Sequence, residues 1–163
     1  MLRTTFLTVI VLLTAMASAF AHLDAAQSAK PTTAIKEQTP WGIAGDARLA
    51  VKTVEIRMVD TMRFRPDRLT VRVGDTIRFV MHNDGKLMHE LVLGTKATLD
   101  EHSAAMRRFP NMEHDAPYMA HVAPGKRGEI VWKFNRTGEF GFACLIAGHY
   151  ESGMVGKVIV RAN

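Results

Sequence analysis

The chain has 163 residues, a formal charge of +5 and a single cysteine. That length suits one domain with its own core, and a lone thiol excludes an internal disulfide framework. On an exported chain, basic charge excludes nucleic acid as the natural partner and leaves acidic proteins, an anionic surface or simple solubility as its use.

Export is read from residues 1–21. Arg3 supplies a positive n-region, and "FLTVIVLLTAMA" (Phe6 to Ala17) is an apolar stretch shorter than the roughly 20 residues a membrane-spanning helix needs. "AFA" at Ala19–Ala21 then gives the small-x-small pattern cut by signal peptidase, so residues 1–21 are expected to leave as a signal peptide, with no stable membrane insertion of what remains. Cleavage after Ala21 would expose the amine and imidazole of His22, a copper(II) chelate; a histidine that merely follows a cut site is the plainer account. Residues 22–50 mix Ala, Thr, Gln, Lys and Pro without a period and read as a flexible N-terminal arm, with Trp41 as its candidate anchor.

From Val51 the texture changes. "VKTVEIRMV" alternates apolar and polar, as a half-buried strand does. In "LTVRVGDTIRFVMHN", Leu69, Val71 and Val73 share one face and Ile77, Phe79 and Met81 share another, with Gly74-Asp75 as a hairpin signal between them. Arg63, Arg65, Arg68 and Arg72 make a basic run here, either a solvated face or a docking patch for an acidic redox partner. "HELVLG", "GEIVWKF", "EFGFAC" and "GKVIV" are further short strands, and the whole reads as an all-β sandwich in residues 51–163. Residues 95–125 interrupt the rhythm as an insertion. "TLDEHSAAMRRF" places Glu101 three residues after Thr98, a capping-box signal for a short helix, and "PNMEHDAPYMAHVAPG" reads as loop.

The chemistry gathers at "CLIAGHYESGM". Phe140, Phe142 and Cys144 fall on one strand face, so two inward phenylalanines carry the thiol inward with them. His149 and Met154 follow in the turn leading to the last strand, and His89 stands at the start of another. Cys, two His and Met is a soft donor set that favours copper and matches the blue-copper arrangement of a trigonal His2Cys plane with a weak axial Met; structural zinc seldom accepts a thioether. Two other accounts stay open on the residues alone: a buried free cysteine beside an unrelated histidine, and a thiol nucleophile with His149 as base. A multicopper oxidase is disfavoured, because its trinuclear centre needs H-x-H pairs and none occurs.

"FACLIAGHYESGMVGKVIV" resembles the C-terminal ligand loop of cupredoxins, the small type 1 copper proteins, in a rusticyanin-like C-x4-H-x4-M version. "RPDRLTVRVGDTIRFVMHNDGKLMHELVLG" is similar to the hairpin that leads to their first histidine ligand. The resemblance covers residues 51–93 and 128–161 and implies a Greek-key cupredoxin β-sandwich holding one type 1 copper ion on His89, Cys144, His149 and Met154. It is nearest the periplasmic copper-tolerance cupredoxins of proteobacteria. It therefore implies a periplasmic protein, not an enzyme, that binds or oxidises surplus copper; the alternative it implies is a soluble one-electron carrier between respiratory or photosynthetic partners. Two positions depart from the family. Ala147 stands where many members have proline, and Glu90 where several electron carriers have the Asn or Ser that ties the two ligand loops together. In the insertion, Met106, Met112, His114, Met119 and His121 offer donors for additional copper(I), or else fill gaps in the packing.

Overall fold

The computed structural model describes residues 37–110 and 114–163; the expected signal peptide, His22, the arm up to residue 36 and Met112 lie outside them. Among the described residues, ten strands form two five-stranded sheets. The first contains β1 (Ile43–Ala44), β2 (Lys52–Val59), β3 (Arg63–Arg65), β5 (Thr76–Asn83) and β8 (Arg127–Lys133), in the order β1-β8-β5-β2-β3. The second contains β4 (Arg68–Arg72), β6 (His89–Gly94), β7 (Met119–Val122), β9 (Gly138–Ala143) and β10 (Val155–Arg161), in the order β4-β10-β9-β6-β7. An α-helix, α1 (Lys96–Arg108), the only one among the described residues, follows β6.

The alternation in the sequence becomes the sandwich interior. Ile56, Met58, Phe79, Met81 and Trp132 face inward from the first sheet; Leu69, Val71, Leu91, Phe142 and Val158 meet them from the second. β6 departs from alternation because both of its faces are covered. Its outer face, with Val92, packs beside Ala143 and Leu145 under Leu99 and Met106 of α1. Gly141 makes room for that helix: a Cβ there would stand 2.8 Å from Leu99 Cδ1.

Four local expectations change. Gly74-Asp75 is no hairpin: β4 pairs in parallel with β10 and β5 in parallel with β2, so the turn carries the chain from one sheet to the other. Opposed apolar faces, not adjacent pairing, satisfy both strands. Helix α1 starts earlier than its Glu101 signal suggests, because Thr95 and Thr98 form the reciprocal capping box. Within the presumed loop, Met119–Val122 pairs antiparallel with β6, Glu90 directly opposite His121. Finally, residues 43–44 of the expected arm pair with β8, and Trp41 is buried with its carbonyl accepting the Trp132 indole N–H. An aromatic of that size is worth more inside the sandwich than trailing from it.

β3 and β4 are the edge strands of their sheets, and Arg63, Arg65, Arg68 and Arg72 all point outward from them. Charge on an edge discourages pairing with another chain, which gives the basic run a purpose within the fold.

Candidate metal centre

β9 delivers Cys144 to the end of the sandwich, and β10 leaves that end from Met154. The Cys144 N–H donates to the Met154 carbonyl at 3.1 Å, closing the connection between the two strands. Inside it the His149 N–H donates to the Ile146 carbonyl (2.9 Å) and the Met154 N–H to the His149 carbonyl (3.1 Å). Gly148, at φ 88°, takes the left-handed backbone this tight course demands. The loop is also held from outside. Arg63 donates to the Ser152 carbonyl, the Tyr150 hydroxyl to Asp100 of α1, and Ser103 and Arg107 of α1 both bond Glu151.

His89 arrives from β6 with no exposed surface, its ring 5.1 Å from that of His149. Asp60 Oδ1 lies 3.1 Å from its Nε2 and accepts that N–H, while the backbone N–H groups of Lys86 and Leu87 also bond Asp60. Those backbone donors, Lys86 first, hold the Asp60 carboxyl below its ordinary value, so it stays an acceptor. The tautomer is thereby set, and His89 Nδ1 carries the free lone pair. It is buried without a hydrogen-bond partner.

Cys144 Sγ lies 3.2 Å from His149 Nδ1, and the donor atoms of His89, Cys144 and His149 all fall within 4.8 Å of one another. Met154 is fully buried in the same core as Cys144. Burial pushes the Cys144 thiol up to about 12 and holds His149 below its ordinary value. The pocket thus gathers an orphaned imidazole lone pair, a neutral imidazole and a thiol that only a cation would ionise at neutral pH. These donors fit copper by count and by softness. Of the four residues singled out from the sequence, the fold brings the donor atoms of His89, Cys144 and His149 together, and Met154 is tied to Cys144 and His149 through its backbone.

The family now follows from outside the chain as well. The description "Copper binding proteins, plastocyanin/azurin family" matches residues 50–161. The chain belongs to this family. Among related cupredoxins, it is 49% identical over 160 residues to the copper-resistant cuproprotein CopI of Rubrivivax gelatinosus, covering 98% of this chain and 97% of that protein. It is 33% identical over 150 residues to the CopI of Pseudomonas aeruginosa, covering 74% of this chain and 82% of that one. Among solved structures the fold is similar to auracyanin B (TM-score 0.62, 19% identity, 74% of this chain and 94% of that one). It is also similar to the auracyanin of Roseiflexus castenholzii (TM-score 0.60, 20% identity, 69% and 98%).

In this cupredoxin Glu90 supplies the tie between ligand loops. Its N–H donates to Cys144 Sγ at 3.4 Å, and its Oε1 accepts the Leu145 N–H at 2.7 Å. The longer carboxylate reaches the same strand end that a shorter Asn or Ser would. Its cost is electrostatic: burial pushes the Glu90 carboxyl up, opposed by His121 beside it.

The insertion divides by residue type. Met106 and Met119 are buried with Val92, Leu99, Ala143 and Leu145, so both are packed as apolar side chains. His114 and His121 instead gather near His102, which sequence reasoning passed over. His102 lies three residues after Leu99 and four before Met106, at the margin of the helix's buried stripe. That phase was the available signal.

Proposed function

We propose that this cupredoxin is an exported periplasmic protein that protects against surplus copper by binding or oxidising it, using one type 1 site of His89, Cys144, His149 and Met154. Residues 1–21 serve as its cleaved signal. The tolerance reading rests on one observation, the 49% identity across 98% of the chain to a protein named for copper resistance.

Bound in this pocket, copper supplies one-electron redox chemistry. The chain's own residues prepare for it. Asp60 fixes which nitrogen of His89 faces the site, and the Glu90 N–H steadies the Cys144 sulfur. Phe142 and Leu91, both without exposed surface, exclude water from the thiolate's surroundings. The hydrogen-bonded loop of Ile146–Met154 and its anchors on α1 keep the donors in place, which keeps the geometric cost of an electron transfer low.

A second reading, a soluble electron carrier, has an observation in its favour. Leu87 and Met88 are 47% and 44% exposed immediately before His89, and Ala147 and Gly148 are exposed beside His149. An apolar surface at the ligand histidines suits docking of a redox partner.

Deleting the gene and plating on copper separates the two. Copper-sensitive growth, restored by the wild-type gene and not by Cys144→Ser, supports tolerance; unchanged growth with impaired respiration supports the carrier. Cell fractionation checks the compartment, and recovery of the protein with the cytoplasm would remove the proposal's premise.

A further inference from the structure

The β4 side of the second sheet carries more positive charge than protection of an edge requires. On β4, Leu69 and Val71 point into the sandwich, and Arg68, Thr70 and Arg72 are exposed on the outer face. β10 lies between β4 and β9, so it has no free edge to guard. Its outer face nevertheless repeats the pattern of β4. The parallel register sets Lys157 beside Arg68, Ile159 beside Thr70 and Arg161 beside Arg72. Like charges directly opposite on neighbouring strands destabilise a sheet, and here the fold keeps two such pairs on one face.

Little nearby neutralises them. Arg65, before β4, and Arg136, before β9, are exposed just beyond the two ends of the array. The carboxylates there are Glu139, Asp67 and Asp75, and two of them are engaged. Glu139 pairs with Lys157 at 2.5 Å, and Asp75 Oδ2 accepts the Arg72 backbone N–H at 2.8 Å. Among the described residues, the side chains of Arg68, Arg72 and Arg161 have no ion pair.

We propose that this face docks the protein on an anionic phospholipid bilayer, through the phosphodiester headgroups. The array spans about 13 Å along the strands and about 5 Å across them, so its cations can meet one flat surface together. A guanidinium presents a fork that fits two phosphate oxygens, and three of the four cations on the face are arginines. A protein partner is the poorer match. Stable protein interfaces are centred on desolvated apolar anchors, and between these cations lie only Thr70 and a half-buried Ile159. Clustered basic side chains are drawn to an anionic leaflet without any such centre. The copper end stays clear. β10 runs away from it, from Val155 to Arg161, so lipid on this side leaves the exposed Leu87 and Met88 beside His89 uncovered. Docking of this kind is peripheral, and it holds whether the copper site serves tolerance or electron transfer.

The test is co-sedimentation of the protein, recovered after export, with vesicles of equal parts phosphatidylglycerol and phosphatidylcholine. Vesicles of phosphatidylcholine alone are the neutral reference. Binding is expected to the anionic vesicles only, and it should weaken as salt is raised. Each basic residue at such a surface is worth about fivefold, so Arg68→Gln/Arg72→Gln/Arg161→Gln should bind about 100-fold more weakly. Lysine at the same three positions keeps the charge and should keep most of the binding. Arg57→Gln/Arg78→Gln/Arg127→Gln removes as much charge from the outer face of the first sheet. It should bind nearly as the wild type does, because the field is screened across the sandwich. Relief of the like-charge pair Arg72 and Arg161 should leave the second-sheet glutamine variant at least as resistant to urea as the wild type. No binding to the anionic vesicles, or equal binding to neutral ones, overturns the proposal. So does a second-sheet glutamine variant that binds undiminished or unfolds earlier, or a first-sheet variant that loses as much. An acidic protein retained by the wild type and lost by the second-sheet variant, with no vesicle binding, assigns the face to a protein and overturns it too.

Discussion

Proton release on copper binding is the sharpest consequence of the buried thiol. Burial pushes Cys144 up to about 12 from an ordinary 9.0, so the metal-free protein holds this proton throughout the neutral range. A thiolate ligand must give it up, and each ion bound at the four-residue site should release about one proton. His149 is held below its ordinary 6.5 by burial and adds none above that pH. The affinity of the site should therefore rise about tenfold per pH unit, or about 2.7 kcal/mol between pH 6 and pH 8. The sign for the empty protein runs the other way. Its thiol is raised on folding, so the thiol's contribution to stability is complete below 9.0 and is lost as pH rises toward 12. A pH-stat titration with copper(II), compared between the wild-type chain and Cys144→Ser, isolates the thiol proton from any released elsewhere. A difference of one proton per ion is expected. Equal release from the two proteins, or an affinity flat with pH, refutes the assignment of Cys144 as a buried thiol that becomes the dominant ligand.

Asp60→Ala removes the acceptor that fixes His89, and copper affinity should fall about 10- to 100-fold in a chelator competition, as with other partners of ligand histidines; unchanged affinity would show the tautomer is set otherwise. Phe142→Ala deletes a ring with no exposed surface that packs edge-on against Phe64 at 5.1 Å. Urea unfolding of the metal-free protein should show a loss of about 3–5 kcal/mol. Trp41→Ala, in the segment expected to be an arm, should cost a similar amount, about 3 kcal/mol, because that indole belongs to the main core. A loss under 1 kcal/mol would return residues 37–50 to the status of a tether.

The cluster of His89, Cys144 and His149 was legible because its signals are local and chemically rare. One cysteine in phase with Phe140 and Phe142, with His149 and Met154 in the following turn, leaves few other uses for those residue types. His89 needed only the inference that another strand ends nearby. Sheet membership was not legible in the same way. The pattern around Gly74-Asp75 is identical for a hairpin and for a crossing between sheets, since both place apolar residues inside. The short strands β1, β3 and β7 escaped because two to four residues carry no measurable period; β1 and β7 are fixed by partners distant in the chain, and β3 by its hairpin with β2. Trp41 pairs with Trp132 across ninety-one positions, a contact no local window contains.

Glu90 explains why a departure from the family pattern can be conservative in structure and consequential in chemistry. Asn or Ser at this point would tie the ligand loops with a neutral side chain. A carboxylate makes the same bond to Leu145 through one oxygen, and brings a second oxygen and a negative charge into a site without exposed surface. Left there alone, that charge would be among the least favourable groups in the protein. His121 sits directly across the β6–β7 pair, and His114 also draws the carboxyl toward its charged form. The insertion that provides these imidazoles also braces the copper loop through Asp100, Ser103 and Arg107. Carboxylate and insertion thus form one unit: the helix stiffens the Cys144–Met154 loop from outside, and His114 and His121 balance the charge of the carboxylate that bonds Leu145 from within.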